Sequence, residues 1–189
     1  MDSISKDNGH FSMNGGDGPL SYDKNSSYQR GILEASKAII EEEIATKLEF
    51  STNSFCIVDF GCSTGNNSFP AMHAIIEAIK RKYESTDLKT PEFHVYFNDV
   101  VSNDFNTLFR SLPPDRSYEV AAVPGDFHGS LLPPSSVHFA YSSWAVHWLS
   151  EVPKAAEGLK SPPRSGGEME EVYEAYLGQF EKDLESFLK

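Results

Sequence analysis

Apolar residues fall along the chain in two alternating kinds of pattern. Ile32, Ala35, Ile39, Ile40, Ile44 and Leu48 repeat with a helical period, and Ser26 or Ser27 can cap the start of that helix. The run FCIVDF (55–60) is short and wholly apolar apart from its aspartate, as a strand buried on both faces requires. Phe69, Met72, Ile75, Ile76, Ile79 and Tyr83 then mark one face of a second helix, with Pro70 in its first turn, where a missing N–H costs nothing. FHVYFN (93–98) predicts a second strand, and a third helix runs from about Asn103 to Leu112, stopped by Pro113-Pro114. YEVAAV (118–123) and SVHFAY (136–141) predict two weaker strands, after which SSWAVHWLS reads as a loop entering a short helix. The last helix spans 168–188, with Val172, Tyr176, Phe180, Leu184 and Phe187 on one face and an acidic start that suits the N-terminal dipole. Strand and helix alternate, which predicts a parallel α/β sheet wound in the Rossmann manner.

Two segments lie outside this pattern. Residues 1–25 are rich in Gly, Ser, Asn and Asp and read as flexible backbone, and residues 151–167 read as a linker. The expected organisation is a flexible lid segment over 1–27 and an α/β core over 28–189. That core looks incomplete, because it stops on a helix where another strand should follow.

The first strand leads directly into FGCSTGNNS (60–68). A glycine loop in this place, with an acidic residue (Asp99) after the second strand, suits an adenosine ligand whose ribose hydroxyls the acid accepts. A pyrophosphate needs small residues for close backbone approach, and Cys62, Thr64 and Asn66 crowd that space. S-adenosylmethionine carries a sulfonium and an amino-acid tail in place of phosphate, for which Asp59 and Asn67 are suitable chemistry. The loop therefore favours this cofactor over a dinucleotide.

Composition narrows the partners. With 16 Lys and Arg against 28 Asp and Glu, the net charge of −12 argues against a nucleic-acid backbone as partner. The 2 cysteines and 6 histidines show no metal-type spacing or disulfide framework. No apolar run approaches membrane-spanning length and the N-terminus has no apolar signal core, so no membrane partner and a cytoplasmic location are expected.

Five stretches in order, MNGGDGPLSYDKNSSYQ, VDFGCSTGNNS, FNDVVSNDFNTLF, VPGDFHGSLLPPSSVHFAYSSWAVHWLS and YLGQFEKDLESFL, resemble the plant SABATH methyltransferases. Those enzymes methylate salicylic, benzoic, jasmonic, farnesoic and related acids, or purine alkaloids. The resemblance covers nearly the whole chain. It implies a Rossmann-like, S-adenosylmethionine-dependent methyltransferase fold, here truncated to its N-terminal half, and methyl-ester formation on a small carboxylic acid.

Residue by residue, the resemblance implies that Tyr22 and Ser26 close over the cofactor. Asp59, Cys62 and Asn67 would line its methionine end, and Asp99 would take the ribose. Val100, where the family commonly has Leu, would pack on the adenine, beside Asp126 and Phe127, where the family usually has Ser-Phe. Gln29 and Trp148 would hold the acceptor carboxylate and serve as the catalytic positioning pair, with Tyr22, Trp144 and His147 shaping the pocket. The structural alternatives are a small turn residue for Cys62, core aromatics for Trp144 and Trp148, and a satisfied core histidine for His147. Family members of full length can also hold magnesium, but the corresponding ligands would lie outside this chain, so no metal residue is expected in it. A homodimer is implied by the resemblance alone. Two other functions fit the same sequence: purine N-methylation, and a non-catalytic truncated paralogue that binds cofactor or a partner.

Overall fold

The computed structural model describes residues 12–49, 52–157 and 167–188. Its elements in chain order are α1 (Tyr22–Asn25), α2 (Ser27–Lys47), β1 (Ser54–Phe60), α3 (Ser68–Ser85), β2 (Glu92–Asp99), α4 (Phe105–Arg110), β3 (Glu119–Pro124), β4 (Phe139–Ser142) and α5 (Gly167–Phe187), with a single 3-10 turn at Lys154–Ala156. The four strands form one sheet in the order β3-β2-β1-β4, and every pairing is parallel. Ile57 of β1 stands between Val95 and Phe139, and Asp99 at the end of β2 stands beside Pro124. The chain reverses direction of travel across the sheet between β1 and β4, and the carboxyl ends of those two strands open a crevice there.

The core lies where β1 meets α3. Phe55, Ile57 and Val58 are fully buried, as are Met72, Ile75, Ile76, Ile79 and Tyr83 on the helix above them. Both elements follow the apolar pattern of the sequence. α2 does so only in part. It packs on α3 through a narrower stripe, Leu33, Ile40 and Ile44, while Ile39 is 63% exposed. The α2 face is thus rotated from the expected one: Leu33 is buried and Ile32 and Ile39 are not, because one supporting helix can cover only a single row of positions.

Three boundaries differ for local hydrogen-bonding reasons. α4 starts at Phe105, not at Asn103, because Asp104 is its cap and accepts from the Thr107 N–H at 3.0 Å. β4 is four residues long, not six. Before it, the His138 ring takes the Cys56 N–H at 3.0 Å through Nδ1, so a side chain stands in for a ladder bond. The stretch after β4 forms turns and no helix, closed by Trp148 N–H donating to the Ala145 carbonyl at 2.9 Å.

α5 departs furthest from its pattern. Its expected apolar face is at best half-buried, and Tyr176 is exposed, whereas the buried side chains among the described residues of the helix are Gln179 and Asp183. Phe187 makes aromatic contacts with the body, 5.1 Å from Phe60 and 5.8 Å from Phe127 between ring centres.

Residues 12–26 lie across the carboxyl ends of the strands. Gly16 N–H donates to Asp104 Oδ2 at 2.9 Å, Tyr22 N–H to the Asn14 carbonyl at 2.9 Å, and Asn66 Nδ2 to the Asp23 carbonyl at 3.1 Å. Of the segment expected as a lid, residues 1–11 lie outside the described residues. No helix among the described residues is long and apolar enough to cross a membrane.

Candidate functional site

The glycine loop after β1 is shaped by contacts that only glycine permits. Gly61 has φ +85, and a Cβ there would lie 2.2 Å from the Ala145 Cβ in the loop after β4. Gly65 has φ +92 and stands on the Phe69 ring. Four of the loop's amides are spent on the protein itself. Gly61 and Cys62 N–H both donate to the Asn98 carbonyl at 2.9 Å, Ser63 N–H to Asp99 Oδ2 at 2.7 Å, and Gly65 N–H to the Cys62 carbonyl at 3.1 Å. A phosphate cradle needs those amides free and pointing at the ligand. This loop instead grips the end of β2.

Two cavities open beside it. The larger, of about 670 Å³, falls within the usual size range of small-molecule sites. Asp99 and Val100 from the end of β2 form one side, and Asp126 and Phe127 from the loop after β3 form another. Trp144, His147 and Trp148 from the loop after β4 face Tyr22 and Gln29 from the N-terminal segment and α2. The smaller, about 20 Å³, lies beneath it and is walled by Asp59, Cys62 and Asn67; Tyr22, Gln29, Gly61 and Ser143 border both.

The charge of the site is one-sided. Asp59 is 2% exposed and its Oδ2 has no hydrogen-bond partner. Burial pushes its carboxyl up to about 7, against a bond from Ser68 and with Asp99 adding repulsion. Asp99 is also raised, by burial working against the N–H bonds it accepts from Ser63 and Val100. The Tyr22 hydroxyl is held up by burial, with Asn67 opposing and both aspartates adding. The Cys62 thiol is pushed well up by burial and the same two acids, so it stays protonated and unreactive. Among the described residues no lysine or arginine lines either cavity. A buried acid and a half-buried one without a cation form a receptor for a ligand that brings its own positive charge.

The opposite wall is aromatic. The Trp144 ring centre lies 5.6 Å from that of Tyr28 and 6.1 Å from that of His147, which stacks on Trp148 at 5.6 Å. Trp144 has φ +62, a costly conformation for so bulky a residue.

Of the residues singled out in the sequence, Tyr22, Gln29, Asp99, Val100, Asp126, Phe127, Trp144, His147 and Trp148 meet at the larger cavity, and Asp59, Cys62 and Asn67 at the smaller. Ser26 borders neither. It is fully buried with its hydroxyl unpaired, and its carbonyl accepts from Asn67 Nδ2 at 3.5 Å. Sequence reasoning missed Met13, Ser63, Tyr141, Ser143 and Ser150. Tyr141 and Ser143 were accessible to the rule that strand ends carry the site, whereas Met13 sits in a segment with no pattern to read. No group of three or more His, Cys, Asp or Glu is placed to hold a metal ion among the described residues.

Comparison with known proteins matches residues 8–189 to the family described as "SAM dependent carboxyl methyltransferase". The chain is 48% identical to loganic acid O-methyltransferase of Catharanthus roseus, over 94% of this chain and 51% of that protein. It is 44% identical to farnesoic acid carboxyl-O-methyltransferase of Arabidopsis thaliana, over 94% of this chain and 53% of that protein. It is 42% identical to paraxanthine methyltransferase 2 of Arabidopsis thaliana, over 93% and 53%. A solved structure titled "Loganic acid methyltransferase with SAH" superposes with a TM-score of 0.84 at 48% identity, covering 93% of this chain and 53% of that one. The chain thus spans about half the length of the relatives it matches.

Proposed function

Because the chain belongs to the SAM-dependent carboxyl methyltransferase family, the SABATH family of plants, we propose that it serves transfer of a methyl group from S-adenosylmethionine to the carboxylate of a small organic acid. The observation that carries this reading is the buried, unpaired Oδ2 of Asp59, beside Asp99 in a site without lysine or arginine. It fits a cofactor with an ammonium group and no phosphate, and the internally bonded glycine loop fits the same group.

In this reading Asp59 and Asn67 hold the amino-acid end of the cofactor, Asp99 accepts from the ribose hydroxyls, and Val100 and Phe127 flank the adenine beside Asp126. When bound, S-adenosylmethionine supplies an electrophilic methyl group on a sulfonium. The chain's own residues bind, orient and dry the site. The Gln29 amide borders both cavities and its oxygen has no partner, so the group is free to turn its N–H donors to an acceptor carboxylate. The Trp148 indole N–H is the second donor. Neither takes a proton, and none needs to move, since a carboxylic acid near pKa ~4–5 is ionised at neutral pH. Catalysis then consists of holding the oxygen in line and excluding water, with Tyr22 and the segment before it as cover.

Purine N-methylation is the second reading, favoured by the 42% identity to paraxanthine methyltransferase 2 and by His147 in the aromatic wall. Labelled cofactor with a panel of acids and xanthines separates the two. Label released as methanol by mild alkali supports the ester, and label that survives on nitrogen supports the purine. Failure of S-adenosylhomocysteine to bind in calorimetry removes both.

A further inference from the structure

α5 buries the wrong side chains for a helix held by apolar packing. Among its described residues the buried side chains are Gln179 and Asp183, and both bond Ser150 at the end of the aromatic loop. Ser150 N–H donates to Asp183 Oδ2 at 2.9 Å and Ser150 Oγ to Asp183 Oδ1 at 2.7 Å. Gln179 Nε2 donates to Asp183 Oδ1 at 3.0 Å and to Ser150 Oγ at 3.1 Å. Burial opposes ionisation of Asp183, but the bonds from Ser150 and Gln179 outweigh it and hold the carboxyl below its ordinary range.

The same stretch of helix holds the neighbouring wall. Ser186 Oγ donates to the His128 carbonyl at 3.2 Å, His128 Nε2 lies 3.9 Å from Asp183 Oδ2, and His128 Nδ1 lies 2.7 Å from Asp126 Oδ1. At its other end the aromatic loop is pinned by the close approach of Ala145 to Gly61. Between these two anchors lie His147 and Trp148, and Trp144, directly before the first anchor, has a left-handed backbone.

We propose that Asp183 is a positioning residue for the acceptor wall: by accepting from both the N–H and the hydroxyl of Ser150 it fixes the loop that presents Trp144, His147 and Trp148 to the large cavity. The inference rests on the methyl-transfer reading only for the word acceptor. Its physical basis is that a buried polar cluster is a poor way to dock a helix, since apolar residues of similar volume dock it as well or better. What the cluster adds is direction, because a carboxylate bonded to an N–H and a hydroxyl of one residue fixes that residue's orientation.

The chain's 2 tryptophans are Trp144 and Trp148, so its tryptophan fluorescence reports this loop alone. Asp183→Leu puts an apolar side chain of similar size at the helix contact and removes the carboxylate. It is expected to shift the emission to the red and to steepen acrylamide quenching by about twofold or more, as local opening frees the loop, with helix content by circular dichroism unchanged. Ser150→Ala, which loses the hydroxyl bonds and keeps the N–H, is expected to move in the same direction by less. Ile79→Val, a mild core change in α3, is expected to leave the quenching as in the wild type. Unchanged quenching in a folded Asp183→Leu overturns the proposal, as does an equal rise in Ile79→Val. If Asp183→Leu does not fold, unchanged quenching in Ser150→Ala overturns it instead. Titration of S-adenosylhomocysteine into the wild type judges the methyl-transfer reading separately, because absence of binding there leaves the fluorescence outcome standing.

Discussion

Replacing Asp59 by asparagine should stabilise the chain in a way that depends on pH. The carboxyl is 2% exposed and raised by burial from 3.8 to about 7, so between those values the folded state binds a proton that the unfolded state has released. Where the folded state binds more protons, stability falls as pH rises. Asp59 therefore costs nothing below about pH 4, and its cost grows through the window and is complete above about 7. At ~1.36 kcal/mol per pH unit the full cost is about 4 kcal/mol, of which more than half accrues between pH 5 and 8. The substituted asparagine does not titrate, and any penalty for burying its amide is the same at every pH. Urea unfolding of both proteins at pH 5, 6, 7 and 8 should give a stability difference that moves by about 2 to 3 kcal/mol in favour of the variant. A difference flat across that range refutes the reasoning. The same proton links to the ligand: a bound ammonium needs Asp59 ionised, so affinity for S-adenosylhomocysteine should fall about tenfold per pH unit below 7 in the wild type. In Asp59→Asn it should be weak and nearly level.

Asp99→Ala should lower affinity for S-adenosylhomocysteine by about ten- to hundredfold, the worth of charge-assisted bonds of about 1.5–3 kcal/mol, and equal calorimetric affinities would remove Asp99 from the ribose. Gly61→Ala should destabilise the chain by about 2 kcal/mol or more, because its Cβ would meet Ala145 at 2.2 Å on a left-handed backbone; an unchanged urea midpoint would show that the loops can part without cost. Acid methylation, where it is measured, should be level from about pH 6 to 8 once the cofactor is saturating, because no proton leaves the acceptor; a rising limb points to nitrogen as the nucleophile.

The parts of the fold legible in the sequence are those where one rule acts alone. β1 and α3 pack against each other at the centre of the core, so their apolar runs and periods translate directly into burial. At the margins a second interaction intervenes. The His138 ring replaces a ladder bond and shortens β4, and Asp104 caps α4 one residue after its expected start. α2 contacts the body along a single row, so its several isoleucines outnumber the covered positions and periodicity cannot say which are covered. α5 inverts the rule, since a hydrogen-bonding partner 33 residues earlier decides its buried face, and no local pattern holds that information.

The candidate site divides along the same line. Asp59 and Asp99 can be read from their places at strand ends, because in a parallel sheet those ends converge by topology. Gln29, His147 and the two tryptophans carry no such signal and are reached through resemblance, since what joins them is a cavity between elements remote in sequence. The glycine loop shows most plainly what residue types alone withhold. Crowding by Cys62, Thr64 and Asn66 argues against a pyrophosphate, but the structural reason is different: the amides of Gly61, Cys62 and Ser63 donate to the Asn98 carbonyl and the Asp99 carboxylate. The acid that would receive the ribose is thus also the acid that shapes the loop. Its removal should loosen the methionine end of the site as well as the ribose end, so loss of affinity in Asp99→Ala alone does not locate the ribose. The discriminating variant is Asp99→Asn, whose amide oxygen can still accept from one N–H. If Asp99 acts mainly through the loop, the asparagine variant should restore affinity for S-adenosylhomocysteine and for the isolated methionine fragment together. If it acts on the ribose, the fragment should bind the asparagine variant as it binds the wild type while the whole ligand stays weak.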